Sequence, residues 1–128
     1  HVVLMGFSLG TGVAIEMAAR GHGRALVLLA PYTSIPAVAA RHVPIFPMPL
    51  LLGDRFDSAS KAPRVELPAL VAQGDRDEVV PFDMGETIAH ALPHGRFVAV
   101  SGAHHVDMFE TDEHLMQKII DFLIEVTP

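Results

Sequence analysis

Val2-Val3-Leu4-Met5-Gly6-Phe7-Ser8-Leu9-Gly10 runs straight into Thr11-Gly12-Val13-Ala14-Ile15 near the start of the chain. Val2 to Met5 is continuously apolar. Such a run belongs to a strand buried on both faces or to a buried piece of helix, and its shortness together with Gly6 favours the strand. Thr11 to Arg20 then reads as a helix with Ala14, Ile15, Ala18 and Ala19 on its apolar face, ended by Gly21 and Gly23. The link between the two has the pattern G-x-S-x-G. A strand that enters a helix through so few residues must turn very sharply, and glycines are expected on both sides of the serine because side chains there would clash. The turn lifts the Ser8 hydroxyl above the C-terminal edge of the sheet. It also sets the Leu9 backbone N–H at a helix N-terminus, where it can face a developing oxyanion.

Two plainer readings compete with a nucleophilic serine. One is an ordinary serine in a glycine-rich turn. The other is a phosphate-binding loop. The dinucleotide template fails, because Gly10-Thr11-Gly12 is followed by Ile15 where Gly or Ala belongs, and the Walker template fails because no Gly-Lys-Ser/Thr follows.

Beyond the first helix, Ala25 to Ala30 is a second apolar strand, stopped by Pro31. Residues 31–67 are unlike the rest: Pro31, Pro36, Pro44, Pro47, Pro49 and Pro63 fall inside this span and Pro68 marks its edge. Proline at this density prevents long helices and central strands. We read the span as a lid or cap with short helical turns near 35–42 and 48–52. Ile45, Phe46, Met48, Leu50, Leu51 and Leu52 argue for packing, since a solvated linker would not carry them. Ala69 to Ala72 is a third strand. Asp83 and Glu86 have capping-box spacing and predict a helix over 83–92 with Asp83 as its N-cap. Arg96 to Val100 is a fourth strand. Thr111 is expected to cap a last helix with a broad stripe of Leu115, Met116, Ile119, Ile120, Phe122 and Leu123. Alternating strands and helices mean an α/β fold with a parallel sheet covered on both faces.

Composition sets outer limits. The 128 residues suffice for one domain with a core, and half of them are hydrophobic. A net charge of −6 with nine scattered Lys and Arg argues against nucleic-acid partners. The absence of cysteine excludes disulfides, thiolate metal sites and thiol nucleophiles, and agrees with a reducing, cytoplasmic setting. No apolar run approaches the roughly 18 residues of a membrane-spanning helix. Residue 1 is His and the next residues already read as a strand, so the natural chain is expected to begin earlier.

A serine hydroxyl needs a histidine to take its proton, and the histidine needs an acid to orient it. Gly74-Asp75-Arg76-Asp77-Glu78-Val79-Val80-Pro81 follows the third strand, and Ser101-Gly102-Ala103-His104-His105-Val106-Asp107 follows the fourth. Loops leaving the same edge of a parallel sheet can meet above it. On the residues alone Asp75, Asp77 and Asp107 are candidate acids, and His104 and His105 candidate bases. Asp75 lies nearer the strand end, where it would stabilise the turn; Asp107 would cap a helix start.

These motifs together resemble the serine α/β-hydrolases, particularly the branch of serine aminopeptidase-like and dienelactone-hydrolase-like proteins. That branch shows G-x-S-x-G, then H-G-x-x-D-x-x-V-P, then G-x-G-H-x-D or a close variant. Gln73 to Pro81 and Gly102 to Asp107 are similar to the second and third motifs, and the stretches Ala30 to Ser34 and Asp54 to Asp57 are similar too. The resemblance implies Ser8 as nucleophile, Asp77 as acid, His105 as base and Leu9 as an oxyanion donor. It implies hydrolysis of a small-molecule ester, thioester or amide, with no cofactor and no metal. Gln73 replaces the branch's usual His, and we expect no consequence. His104 stands where a small residue is common; the flanking Gly102 and Asp107 set the register in favour of His105.

A metal reading of His104, His105 and Asp107 is disfavoured, because adjacent loop histidines point in different directions and no second ligand cluster exists. His1, His22, His42, His90, His94 and His114 read as surface or loop histidines. The resemblance also implies a sheet of about eight strands, of which four are present. We therefore expect a partial α/β-hydrolase fold whose missing half would carry the second oxyanion donor, and whose exposed first strand invites self-association. The rival to the enzyme is a truncated or inactive hydrolase-fold interaction module.

Overall fold

The structure is a computed structural model that describes residues 2–42 and 55–128. Four strands, β1 (Val3–Phe7), β2 (Ala25–Leu29), β3 (Ala69–Gly74) and β4 (Gly95–Val100), form one parallel sheet in the order β1-β2-β3-β4. The helices are α1 (Gly10–Ala19), α2 (Ile35–His42), α3 (Ser58–Lys61), α4 (Phe82–Ala91), α5 (Met108–Thr111) and α6 (Leu115–Val126), with a 3₁₀ turn at Ala62–Arg64.

The apolar runs of β2 and β3 are buried at every position. Their side chains alternate between two cores. Leu26, Leu28, Ala69 and Val71 face α1, α4, Ala62 and Val65. Ala25, Val27, Leu29, Leu70 and Ala72 face α6 and the β4–α5 loop. This division follows from chirality: right-handed crossovers that always step the same way along a sheet put their connecting segments on one face. α6, which follows β4, covers the other face. The sheet register aligns Val3, Met5 and Phe7 with Ala25, Val27 and Leu29, which places them on the α6 face. There they are 38–54% exposed, because α6 lies over the inner strands.

The C-terminal helix shows why. Arg96 of β4 holds Glu125 through two hydrogen bonds of 2.8 and 2.6 Å and lies 5.3 Å above the Phe122 ring. That flank is pinned toward β4. Leu115, Ile119 and Phe122 point into the core, whereas Met116 and Ile120 are exposed on the opposite flank. The buried stripe is therefore narrower than the six-residue one expected.

Both predicted caps are corrected. α4 begins at Phe82, one residue early, because Pro81 already has the extended backbone of an N-cap (φ −57°, ψ 142°). Asp83 then lies inside the first turn, and its carboxylate is engaged by Arg41 at 2.8 Å. Thr111 ends α5. The start of α6 is braced by Asp112, which accepts from the His114 N–H at 2.9 Å and from Lys118 Nζ at 2.8 Å.

Within the proline-rich span, the turn expected at 35–42 is α2. The turn expected near 48–52 and the apolar residues from Ile45 to Leu52 lie outside the described residues, as does His1. At the end of the span, Ala62 and Val65 are fully buried against α1 and α4, and Lys61 reaches Glu16 of α1 at 2.7 Å.

Candidate active site

The turn after β1 has the strain expected of a sharp elbow. Ser8 takes φ +52°, a left-handed conformation that costs a non-glycine residue about 1–3 kcal/mol and persists only where neighbours hold it. The neighbours are identifiable. The Ser8 N–H donates to the Leu29 carbonyl at 2.9 Å, and the Ser8 carbonyl accepts from the Thr11 N–H at 3.0 Å and the Thr11 hydroxyl at 2.6 Å. A side chain on Gly6 would lie 2.5 Å from the Gly10 carbonyl oxygen and 2.8 Å from Thr11 Cα. Gly10, by contrast, has open space around it. The second glycine the elbow needs is Gly12, whose side-chain position is taken by the Tyr32 hydroxyl. That hydroxyl donates to the Leu9 carbonyl at 3.2 Å. The Leu9 N–H opens the first turn of α1, and among the described residues it has no hydrogen-bond acceptor.

Asp77 and His105 come to this serine from the loops after β3 and β4. His105 Nε2 lies 2.9 Å from Ser8 Oγ across 97 positions of sequence, and His105 Nδ1 lies 2.8 Å from Asp77 Oδ2 across 28. A carboxylate can only accept, so Nδ1 carries the proton and Nε2 is left to accept from the serine hydroxyl. The Asp77 side chain is 1% exposed and that of His105 10%. Asp77 Oδ1 accepts from the Val79 and Val80 N–H groups, each at 2.8 Å. The Phe7 ring lies 5.2 Å from the imidazole.

The two loops are joined to each other as well. Asp75 Oδ1 accepts from the Gly102 N–H at 2.7 Å, and the Arg76 N–H donates to the Ala103 carbonyl at 3.0 Å. Asp75 thus stabilises the pairing of two loops and not just its own turn. Asp107 heads α5 but makes no side-chain cap there; its Oδ1 turns back to accept from the His104 N–H at 2.6 Å. The His104 ring is exposed and meets Glu78 at 3.1 Å, away from Ser8. The Glu78 carboxyl is held below the usual carboxylate range, first by its own backbone amide and then by His104. Among the described residues no three His, Asp or Glu side chains converge as metal ligands.

Gln73, whose replacement of the usual His was expected to have no consequence, bonds directly to Asp77. It is fully buried, and its Nε2 donates to Asp77 Oδ2 at 2.9 Å and to the Val80 carbonyl at 3.2 Å. The reversed amide would aim an oxygen at a carboxylate and a carbonyl, so the network itself assigns the orientation. Its Oε1 has no partner among the described residues. A side chain on Gly85 of α4 would lie 2.8 Å from Gln73 Cβ, so that glycine makes room for it. A signal was available: Gln73 is the one polar side chain in β3, at the end that carries the site.

Two apolar hollows flank the Ser8–His105 pair. One is lined by Ser8, Leu9, Tyr32, Ile35, Val38, Ala39, Val79 and Val80. The other is lined by Phe7, Leu29, His105, Val106, Met108 and Phe109. Helix α2 walls the first and is tied to the loop after β3. His42 Nε2 meets the Val79 carbonyl at 2.7 Å, and Arg41 bonds Asp83 at 2.8 and 3.4 Å.

Known proteins are similar to this chain in sequence and fold. Residues 1–114 match the family model described as Serine hydrolase (FSH1). Among curated proteins the chain is 36% identical over 117 residues to the uncharacterized protein Rv2307c of Mycobacterium tuberculosis, covering 91% of this chain and 42% of that one. It is 36% identical over 110 residues to the alpha/beta hydrolase domain-containing protein aho-3 of Caenorhabditis elegans, covering 84% of this chain and 31% of that one. The chain thus spans less than half the length of either relative. Among solved structures it is similar to MGS-MChE2, an alpha/beta hydrolase enzyme from a lagoon-sediment metagenome of Mar Chica, Morocco. The TM-score there is 0.75 at 21% identity, over 98% of this chain and 62% of that one. The matched family is described as serine hydrolases and does not single out the aminopeptidase-like and dienelactone-hydrolase-like branch that the motifs suggested. Four parallel strands flanked by helices, with the serine elbow after β1, are part of an α/β-hydrolase fold, and the chain belongs to the serine hydrolase (FSH1) family.

Proposed function

We propose that the protein hydrolyses a carboxylic ester or thioester through an acyl-enzyme on Ser8, with His105 as general base and Asp77 as the acid that orients it. The observation that carries this reading is the continuous hydrogen-bonded path Ser8 Oγ, His105 Nε2, His105 Nδ1, Asp77 Oδ2, with links of 2.9 and 2.8 Å. Ser8 Oγ attacks the carbonyl carbon as His105 Nε2 takes its proton. Asp77 stabilises the imidazolium that forms. The Leu9 N–H donates to the tetrahedral oxyanion. His105 then gives its proton to the departing alcohol or thiol, and a water activated by the same imidazole releases the acid and restores Ser8.

Esters and thioesters are preferred to peptides because, among the described residues, no Lys, Arg, Asp or Glu lines the two hollows to hold a charged chain end. A small-molecule substrate fits their size, and the motifs favour the aminopeptidase-like and dienelactone-hydrolase-like branch. Among the described residues no helix is long and apolar enough to cross a membrane.

A fluorophosphonate activity probe tests the proposal. Labelling of the folded protein should be abolished in Ser8→Ala, and undiminished labelling of that variant would overturn it. A second reading, an interaction module without turnover, has the exposed Val3, Met5 and Phe7 face of β1 in its favour; it predicts no labelling of the wild-type protein at all.

A further inference from the structure

We propose that the hollow between α2 and the loop after β3 is the acyl pocket, and that it selects uncharged, medium-length acyl chains of about six carbons. This rests on the ester-hydrolase reading above. The argument begins with the tetrahedral carbon. One of its bonds goes to Ser8 Oγ. Its oxyanion must face the Leu9 N–H. Its leaving group must lie at His105 Nε2, the only proton source in the path. The acyl chain takes the remaining direction, away from the imidazole. Of the two hollows, one includes His105 in its wall and the other does not. The second starts at Ser8 and Leu9 and runs under Ile35, Val38 and Ala39, so it receives the acyl chain.

Chemistry and size narrow the ligand. Among the described residues, no charged side chain lines this hollow. A carboxylate or ammonium on the acyl group would lose its hydration there without compensation. The cavity holds about 200 Å³. At roughly 30 Å³ for a water-sized group such as a methylene, that admits about six carbons. The wall is held in place, since His42–Val79 ties α2 to the loop opposite and Arg41–Asp83 ties it to the first turn of α4. Each methylene that enters should raise kcat/KM by about fourfold until the space is filled.

The test uses the full chain and p-nitrophenyl esters from acetate to hexadecanoate. With the wild-type protein, kcat/KM should climb to a maximum near hexanoate or octanoate and fall by dodecanoate. Ala39→Phe projects a ring into the cavity and should lower the hexanoate-to-acetate ratio at least tenfold. Val38→Ala enlarges it and should move the maximum to longer chains. Thermal melts establish that both variants are folded. An unchanged chain-length profile in both variants would overturn the proposal, as would a wild-type optimum beyond dodecanoate. So would a change in alcohol selectivity, ethyl against butyl acetate, with acyl selectivity intact. Ser8→Ala separates this inference from the mechanism it rests on. That variant should still bind the uncleaved hexanoate ester more tightly than the acetate, and Ala39→Phe added to it should remove the preference. Binding of this kind in a protein that cleaves nothing would keep the pocket and refute the triad; cleavage without chain-length selection would do the reverse.

Discussion

At the scale of single residues, Asp77 spends its acceptor sites on four donors: the Val79 and Val80 amides, the Gln73 amide and the His105 imidazole. Three of these fix where the carboxylate points before the fourth is oriented by it. Gln73 donates to the same oxygen as His105 and also holds the Val80 carbonyl, so in the proposed mechanism it is a positioning residue for the acid. Hydrogen bonds to charged groups are worth about 1.5–3 kcal/mol, and part of that is transmitted to the imidazole. Gln73→Met keeps the volume and removes the donor. We expect kcat to fall about tenfold with KM little changed, and Gln73→His, the residue usual in the resembling branch, to restore part of it. Steady-state kinetics on the three proteins decides this; loss confined to KM would mean that Gln73 shapes the pocket and not the acid.

At the scale of elements, the segment between β2 and β3 is fastened to α1 by charge as well as by packing. Glu16 is bonded by Lys61 of α3 and Arg20 of its own helix, at 2.7 and 2.8 Å. These two cations, Lys61 the stronger, pull its pKa from 4.5 to about 2. A folded-state pKa below the unfolded one contributes stability that is fully present above pH 4.5 and is lost as the pH falls toward 2. All three side chains are partly solvated, so the effect is modest. Glu16→Gln should melt a few degrees below the wild-type protein at pH 7, and the gap should close as the pH falls from 4.5 to 2. Calorimetry across that range gives the answer; a gap independent of pH would mean that packing, not charge, makes the joint.

At the scale of the whole molecule, protection from solvent is graded across the sheet. β2 and β3 are buried on both faces, whereas β1 shows three of its five residues to solvent and β4 lies at the other edge. Opening free energies follow buried apolar contact. The amides of β2 and β3 should therefore exchange slowest in hydrogen-exchange experiments, and those of β1 fastest among the strands. Slow exchange throughout β1 would show that its open face is covered in solution, as the expected self-association would require.

Much of this was legible from the amino acids in order. Each strand, with α1, α2 and α4, falls within two residues of its sequence-based position, because apolar runs bounded by glycine and proline leave few alternatives; α6 begins three residues beyond the start that a Thr111 cap would give. The order of the three motifs also put Ser8, Asp77 and His105 forward as the site, since loops after parallel strands share one edge. The caps were misplaced because Pro81 and Asp112 compete locally with Asp83 and Thr111, and backbone geometry decides such contests by a fraction of a turn. The register set by Gly102 and Asp107 already favoured His105 over His104; what each ring faces, Ser8 and Asp77 for His105 and Glu78 for His104, only tertiary structure could decide. The same holds for Gln73 and Gly12, whose importance lies in atoms brought to them from Asp77 and Tyr32. Pattern along the chain determines which segments must be buried. Which polar atoms then meet depends on distances in space, and those distances exist only once the sheet has brought its loops together.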